Sequence, residues 1–581
     1  MSSADGSITT GAAEADLFER VRAWIAQDPD PETRDELQAL LLAAEAGSRE
    51  ATDDLHSRFD SRLAFGTAGL RGVIAGGPNR MNRVLVAQAA VGLAAYLLEN
   101  TRGERPSVVI GYDGRKNSAV FARDTAELMA GAGVRAILLP RLLPTPVLAF
   151  AVRHLQASAG VMVTASHNPP NDNGYKVYLG GDNHGSQIVS PADADIAAHI
   201  LRVAAGSVAG LTRSDAYETA PDSLELSYIE ATASVAQSLA QSAAPRDAVS
   251  FAYTAMHGVG WHTAQQTFAR VGFAAPSVVA AQIEPDPAFP TVAFPNPEEP
   301  GAMDLAFATA REAGSDLVIA NDPDADRLAV AIPDSSMPDG YRRLSGNEVG
   351  ALLGWRAAEL AEAAASGDSA AGGVLACSIV SSPALKAVAA AYGLDFEDTL
   401  TGFKWVSRAP GLIYGFEEAL GYLVNPSTIR DKDGISAAVA FLDLANSLAA
   451  DGLTIADQLD RFAEKFGFFA SGQISIRVTD LDDITRIMSA LRREPPAALG
   501  SVRVAEIDDL SDGFANLPPS DVLRILLEDG SRVMVRPSGT EPKLKIYIDA
   551  SSDEGTVAER RAVAESRVAA LAAAMRALTE A

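Results

Sequence analysis

The sequence predicts a large α/β protein of several domains, and three observations support this fold class. From about residue 65, short β-branched runs that end in polar or glycine-rich loops alternate with alanine-rich helical stretches. The chain has 581 residues, which corresponds to about three to five domains. Near the C-terminal end, residues 521–527 and 531–535 flank the turn dipeptide Asp529-Gly530, which predicts a hairpin in a separate α+β domain.

The N-terminal residues 13–58 have helical spacing. Leu17, Val21 and Ile25 recur at intervals of about one helical turn, and a leucine run follows at 40–42, with charged residues between them. This pattern predicts a helical N-terminal extension over residues 1–60.

Three predicted strands, at 107–111, 159–163 and 316–320, each end in a polar loop. In open α/β sheets the ligand crevice lies beyond the carboxyl ends of the strands, so these loops are candidates for the functional site. The proline-rich segment 284–300 has a different character and predicts an irregular surface connection.

Composition excludes several classes of protein. There are 75 acidic and 48 basic residues, giving a formal charge of −27, which argues against binding to nucleic acid or to an anionic membrane surface. The single cysteine, Cys377, excludes an internal disulfide and a multi-cysteine metal cluster and favours a reducing compartment. The sequence shows neither a signal peptide nor a membrane span, so we expect a cytoplasmic location.

The loop after the strand at 316–320 carries three carboxylates at alternate positions: Asp322, Asp324 and Asp326. Alternate side chains of an extended chain point the same way, so one cation could bind all three, and oxygen ligands favour Mg²⁺. A helix–loop–helix calcium site is excluded by Arg327 and Pro333, which stand where glycine and glutamate are needed. A solvated acidic turn remains an alternative, although Arg327 suggests an anion beside the metal.

The loop after the strand at 159–163 contains Ser166 and His167. It is not a hydrolase nucleophile elbow, because Thr164 and Asn168 occupy the positions of the required glycines. A serine in such a loop is commonly only a turn former. Ten residues further, Lys176 could donate or accept a proton, or could be an ordinary surface lysine.

Three further segments have both a functional and a structural interpretation. Residues 536–543 offer a guanidinium, hydroxyls and a glycine that suit a phosphate, or form a plain turn. Glu417 and Glu418 could accept hydrogen bonds from sugar hydroxyls, or could begin a helix. The side chain of Arg71 could extend into the ligand crevice, or Arg71 could lie in a loop that only turns the chain.

Taken in this order, these segments resemble the α-D-phosphohexomutase family, over about residues 65–548. The most similar branch is the long type that includes bacterial phosphomannomutase/phosphoglucomutase and phosphopentomutase-like proteins. The resemblance implies three related α/β domains with mixed sheets and a C-terminal α+β domain around a central cleft. The expected domain ranges, after the extension, are 61–222, 223–340, 341–455 and 456–581.

The resemblance also implies roles for residues. Ser166 would be the phosphoserine and, with Asp322, Asp324 and Asp326, would bind Mg²⁺. Lys176 would be a general acid/base, a role that requires its amine pKa to fall towards neutrality. His167 and Arg71 would support the phosphoryl group. Substrate contacts would come from Arg327, Lys404, Glu417, Arg536, Ser538, Gly539, Thr540 and Lys543.

The implied activity is interconversion of hexose 1-phosphate and hexose 6-phosphate, of glucose or mannose, with a sugar 1,6-bisphosphate as intermediate and activator. Alternatives are a phosphopentomutase, a Mg²⁺-dependent sugar phosphatase, or a protein that only binds sugar phosphates. One departure from the family pattern is Ala419, which replaces the usual serine of the sugar loop. The expected partners are small sugar phosphates, and the expected state is a monomer or homodimer.

Overall fold

The structure is a computed structural model that describes residues 5–101, 105–236, 246–365, 372–478, 481–515, 517–537 and 543–579. The chain divides into two compact bodies. The first body comprises Met1–Ser234, Ser250–Leu328 and Ser427–Ser436, and the second comprises Val235–Val249, Ala329–Pro426 and Ala437–Ala581.

Within the described ranges, no single helix has the length and apolar character needed to cross a membrane. One pair of helices, Gly434–Ala450 and Ile455–Phe466, passes that test when taken together, with a bend of 91° between them.

The N-terminal residues of the first body form helices, as the sequence predicts. Side chains of Asp30 and Ser48 cap the second and third helices by accepting hydrogen bonds from Glu32 N and Ala51 N. Buried side chains of these helices, Leu37 among them, pack in one cluster with residues of the fourth helix, Arg83–Asn100. The helices of this region are Asp5–Gln27, Pro31–Glu45, Arg49–Phe59 and Arg83–Asn100.

The first body contains a mixed sheet. Ala159–Val163 runs parallel to Ser107–Tyr112 and antiparallel to Asp172–Leu179. In spatial order the strands are Leu70–Val73, Asp172–Leu179, Ala159–Val163, Ser107–Tyr112, Arg135–Leu138 and Glu218–Thr219, and Ser186–Gln187 pairs with Asp172–Leu179. The helices and short 3₁₀ turns that accompany this sheet are Ser118–Gly131, Thr145–His154, Gly181–Asn183, Ala192–Ala204, Val208–Gly210 and Ser223–Ala233.

A second group of strands in the first body is parallel. Phe251–Thr254 pairs with both Leu317–Asn321 and Ser277–Val278. Helices Gly260–Val271 and Asp304–Ala313 and the 3₁₀ turn Ala280–Gln282 accompany them. Residues 284–300 contain neither helix nor strand, which agrees with the irregular connection predicted for them.

The second body carries an antiparallel pair and a mixed sheet. Leu328–Pro333 pairs with Tyr341–Arg343, and the mixed sheet has the order Asp395–Thr399, Val374–Ser378, Leu412–Glu417, Gly421–Leu423. The helices here are Gly346–Ala364, Ala384–Tyr392, Phe403–Val406, Gly434–Ala450, which begins in the first body, and Ile455–Phe466.

The C-terminal part of the second body is an antiparallel sheet with helices, so the predicted α+β character is confirmed. The predicted hairpin is also confirmed, because Leu523–Leu527 pairs antiparallel with Arg532–Pro537. The sheet order is Phe468–Arg477, Lys543–Ser552, Arg532–Pro537, Leu523–Leu527, Val502–Asp509 and Ala498–Leu499. Helices Leu481–Arg493 and Val557–Thr579 and the 3₁₀ turn Leu510–Asp512 complete this part.

Candidate active site

The predicted serine loop begins where strand Ala159–Val163 ends. Ser166 is 3% exposed and has φ of +51°, a left-handed conformation that is strained for a residue with a side chain. Its Oγ donates a hydrogen bond to Asp322 Oδ2 at 3.0 Å and lies 3.1 Å from His167 Nδ1. The structure therefore joins the serine to the acidic loop, although 156 residues of sequence separate Ser166 from Asp322.

Asp322, Asp324 and Asp326 are fully buried, and one carboxylate oxygen from each lies within 4.8 Å of the others. The reason predicted for their convergence is wrong, because the segment is a turn and not an extended strand. Ala325 has φ of +55°, and its N–H donates to Asp322 O at 2.8 Å, so the chain reverses between the carboxylates.

The donor set of this acidic cluster fits a hard divalent cation. Among the described residues, Asp324 Oδ1 and Asp326 Oδ1 have no hydrogen-bond partner. Burial, followed by the charges of Asp324 and Asp326, raises the pKa of Asp322 well above its usual value. Three buried carboxylates, two of which keep an oxygen without a hydrogen-bond partner among the described residues, form an all-oxygen donor set of the kind that Mg²⁺ prefers.

Two lysines contact this acidic cluster. Lys176 Nζ lies 2.8 Å from Asp324 Oδ2 and 2.9 Å from Asp326 Oδ2, and Lys432 Nζ lies 2.8 Å from Asp326 Oδ2. Burial lowers the pKa of Lys176, but the two carboxylates outweigh it, and the net pKa is raised. The expected fall towards neutrality is therefore wrong for this arrangement, because the carboxylates stabilise the ammonium.

Lys432 reaches the site through the segment Ser427–Ser436, which belongs to the first body. Both neighbours of Lys432 are fixed by buried tyrosines. Tyr178 Oη donates to Asp431 Oδ2 at 2.7 Å, and Tyr228 Oη donates to Asp433 Oδ1 at 2.9 Å. The sequence signal for this residue is the Asp-Lys-Asp-Gly turn at 431–434, which the sequence places in or near the cleft loops as part of a basic group but without a role for Lys432.

Two arginines add positive charge near Ser166, and a neutral histidine lies beside its hydroxyl. Arg71 donates to Asn168 Oδ1 at 3.2 Å, and its strand neighbour in register is Gly174, two residues before Lys176. Arg327 Nε lies 3.9 Å from both Asp322 Oδ2 and Asp326 Oδ1. Burial, followed by the charges of Arg327 and Arg71, lowers the pKa of His167 well below its usual value, so its ring is neutral.

Thr145, at the start of helix Thr145–His154, donates from its hydroxyl to Asp324 Oδ2 at 2.7 Å. Its backbone N–H also donates to Asp324 O at 2.9 Å. Thr145 was not predicted, because a threonine at a helix start carries no sequence signal for a site.

In the second body, Glu417 of the predicted sugar loop lies beside Gly402, two residues before the predicted substrate contact Lys404. Glu417 ends strand Leu412–Glu417, is 9% exposed, and accepts a hydrogen bond from Gly402 N at 2.5 Å. Lys404 lies on the short helix Phe403–Val406. Glu418 Oε2 accepts hydrogen bonds from two serine hydroxyls, Ser378 at 3.1 Å and Ser381 at 3.0 Å. Both glutamates are therefore held inside this body.

The predicted phosphate clamp is described only at its edges. Arg536 lies in strand Arg532–Pro537, and Lys543 begins strand Lys543–Ser552. These strands pair with Arg536 opposite Lys545. The remaining predicted members, Ser538, Gly539 and Thr540, lie outside the described residues.

Four family models match the chain in order. They are described as phosphoglucomutase/phosphomannomutase alpha/beta/alpha domain I, residues 62–206, domain II, residues 227–335, domain III, residues 345–466, and the C-terminal domain, residues 475–566.

Individual relatives agree with these models. A probable phosphomannomutase of Haemophilus influenzae is 55% identical over 83% of this chain and 95% of its own length. The human phosphopentomutase is 34% identical over 93% of this chain and 92% of its own length. Among solved structures, a candidate phosphomannomutase of Thermus thermophilus has a TM-score of 0.67 at 26% identity, covering 90% of this chain and 100% of that chain. The chain therefore belongs to the phosphoglucomutase/phosphomannomutase family of the α-D-phosphohexomutases, which are isomerases with this four-domain α/β architecture.

Proposed function

We propose that this chain interconverts hexose 1-phosphate and hexose 6-phosphate, with glucose or mannose as the sugar, through a phosphoserine at Ser166 and a sugar bisphosphate. The observation that carries the proposal is the 3.0 Å hydrogen bond between Ser166 Oγ and Asp322, in a buried cluster with two further aspartates and two lysines. A nucleophile beside a divalent-cation site, with cations around it, suits phosphoryl transfer.

The reaction would start with a phosphoryl group on Ser166 Oγ. The bond from phosphorus to Oγ breaks while a bond to the free sugar hydroxyl forms. Lys176 would donate its proton to the leaving Oγ and regain one from the sugar hydroxyl, so the net proton transfer is from the hydroxyl to Oγ. The bisphosphate then reorients, and its other phosphoryl group returns to Oγ. The net change is a phosphate moved from one end of the sugar to the other, with the bisphosphate also serving as activator.

Asp322, Asp324, Asp326 and the serine phosphate would hold Mg²⁺, which neutralises charge on the phosphoryl oxygens when it is bound. Arg71 and Arg327 would add positive charge, and the neutral ring of His167 is close enough to hydrogen-bond the serine oxygen. Lys176 would act as the acid/base group, and its ion pairs indicate that it starts as the protonated acid.

Residues of the second body would bind the substrate. Glu417, which is fixed by Gly402, would accept hydrogen bonds from sugar hydroxyls, and Lys404, two residues beyond Gly402, would also contact the substrate. The group that holds the non-reacting phosphate would be Arg536, Ser538, Gly539, Thr540 and Lys543.

A phosphopentomutase is the second candidate, and two observations favour it. Ala419 removes one hydroxyl from the sugar loop of the family pattern. The human relative that is aligned over 93% of this chain is a phosphopentomutase. A sugar phosphatase would use the same serine but would transfer its phosphoryl group to water.

The decisive experiment is a coupled assay with glucose 1-phosphate, mannose 1-phosphate and ribose 1-phosphate, each with and without its bisphosphate, run beside Ser166→Ala. We expect isomerisation of a hexose phosphate that needs Mg²⁺ and trace bisphosphate, with no activity in the variant. Activity on ribose 1-phosphate alone would support the second candidate. Stoichiometric release of inorganic phosphate would indicate a phosphatase and overturn the proposal.

A further inference from the structure

A buried arginine, Arg115, lies behind the serine loop and has no part in the activity described above. It lies in the polar loop between strand Ser107–Tyr112 and helix Ser118–Gly131, and its side chain is 1% exposed. Its guanidinium donates to four backbone carbonyls of the serine loop. These are Ser166 O at 2.6 Å, Asn168 O at 2.5 Å, Pro169 O at 2.7 Å and Asp172 O at 3.2 Å.

The loop that Arg115 holds is strained at Ser166, the proposed nucleophile. Ser166 has φ of +51°, a conformation that persists only when surrounding contacts enforce it. Thr164 fixes the entry to this turn, because its Oγ1 accepts a hydrogen bond from Ser166 N at 2.9 Å. Arg115 fixes the exit, because its Nη2 binds the carbonyls of both Ser166 and Asn168. The direction of Ser166 Oγ therefore depends on both contacts.

Arg115 is itself held from two sides. Its Nε lies 3.6 Å from Asp113 Oδ2, while Asp113 Oδ1 accepts from Ser118 Oγ at 2.6 Å and from Arg115 N at 3.0 Å. The ring of Phe289 lies on its other side, 5.0 Å from the guanidinium carbon. Phe289 belongs to the irregular segment 284–300 and is 3% exposed. Segment 284–300 thus packs against Arg115, and Arg115 in turn fixes the backbone of the serine loop.

Arg115 donates hydrogen bonds to carbonyls and contacts Asp113 and Phe289. Among the described residues it makes no hydrogen bond to Ser166 Oγ or to a carboxylate of the acidic cluster, and its guanidinium is affected by that cluster through the longer-range charges of Asp324 and Asp322. It is therefore placed to act through the backbone of the serine loop. The planar fork of a guanidinium suits this task, because one rigid group reaches four acceptors.

We propose that Arg115 is a positioning residue for phosphoryl transfer, which fixes the strained serine loop so that Ser166 Oγ stays directed at the acidic cluster. This inference rests on the proposed function, since it assigns a role in the same transfer step. A displacement of the reacting oxygen by about 1 Å is expected to cost roughly 10²-fold in rate.

The test compares Arg115→Ala with Arg105→Ala. Arg105 is a matched control, because its exposed guanidinium also donates to two backbone carbonyls, Gly133 O at 2.7 Å and Val134 O at 3.0 Å. Phosphorylation of Ser166 is followed by intact mass after addition of glucose 1,6-bisphosphate, and kcat and KM are measured with and without added guanidinium chloride at low, non-denaturing concentration.

We expect Arg115→Ala to lower kcat and the phosphorylation rate by about 10²-fold with little change in KM, and guanidinium to restore part of the rate. Arg105→Ala should behave as the unmodified chain. A kcat within threefold of the unmodified chain, a change in KM alone, or a folded variant that guanidinium does not rescue would each overturn the role of Arg115.

If Arg115→Ala does not fold, Arg115→Lys provides the test. It keeps the charge but loses the fork, so we expect kcat to fall about tenfold or more at a temperature where circular dichroism shows that the variant is folded, and an unchanged kcat would overturn the inference. Failure of the proposed function would look different, because the unmodified chain would then take up no phosphate at Ser166.

Discussion

Replacement of Lys176 by methionine tests the electrostatic balance of the candidate active site. The ammonium of Lys176 is 7% exposed and contacts Asp324 and Asp326 within 2.9 Å, so its removal leaves two buried carboxylates with less compensating charge. Methionine has a similar volume and fills the space without a charge. The change should therefore affect both phosphoryl transfer and stability.

The expected losses of kcat and of unfolding free energy follow from these contacts. Loss of a general acid/base group lowers kcat by about 10²–10⁴-fold. Removal of one partner of a buried ion pair costs about 3–5 kcal/mol of unfolding free energy. A divalent cation bound by the same carboxylates should return much of that stability, so Mg²⁺ should raise the unfolding temperature of Lys176→Met more than that of the unmodified chain.

The assay measures kcat at saturating Mg²⁺ and the thermal unfolding of each variant in EDTA and in Mg²⁺. Lys116→Met is the matched control, since Lys116 is 47% exposed and pairs with the exposed Glu32. It should change neither quantity. A kcat of Lys176→Met within tenfold of the unmodified chain, or an equal stabilisation of both by Mg²⁺, would refute the reasoning.

Three further predictions concern single groups. Ser166→Ala should abolish sugar phosphate isomerisation while the far-UV circular dichroism spectrum stays unchanged, and retained turnover would contradict the assignment of the nucleophile. Asp433→Asn should remove a pH dependence of stability. Burial raises the pKa of Asp433 to about 6 from 3.8, so the folded chain holds this proton more tightly and loses the corresponding stability as pH rises from about 4 to 6. A rise of about two in pKa corresponds to about 3 kcal/mol, and urea unfolding of the variant and the unmodified chain at several pH values checks it; parallel curves would refute it. Ala419→Ser should shift the ratio of kcat/KM between hexose and ribose phosphates towards the hexose, because it restores a hydroxyl to the sugar loop, and an unchanged ratio in the coupled assay would mean that this loop does not select the sugar.

The local sequence pattern was sufficient to locate the main strands and to select most of the candidate site residues. The strand predicted at 159–163 spans those residues, the strand predicted at 107–111 ends one residue later in the structure, and the strand predicted at 316–320 is shifted by one residue at both ends. The acidic loop was recognisable because its carboxylates are close in sequence. Its geometry was not, because the left-handed turn at Ala325 is imposed by the fold and not by a glycine.

Long-range contacts account for what the sequence could not predict. Lys432 lies more than a hundred residues from Asp326, and only the return of the segment Ser427–Ser436 to the first body brings their side chains together. The pKa of Lys176 depends on the same packing, because the two carboxylates that raise it come from a distant strand end.

By itself, the sequence determined the α/β class, the loops that carry the chemistry and the family to which they belong, since these depend on residue types at short spacing. Only the tertiary structure decided that Ser166 meets Asp322, that Lys176 is ion-paired, and that Arg115 holds the serine loop from behind. The reason is physical: distances between atoms remote in sequence and the free energy of buried charges are properties of the packed chain, and no local pattern contains them.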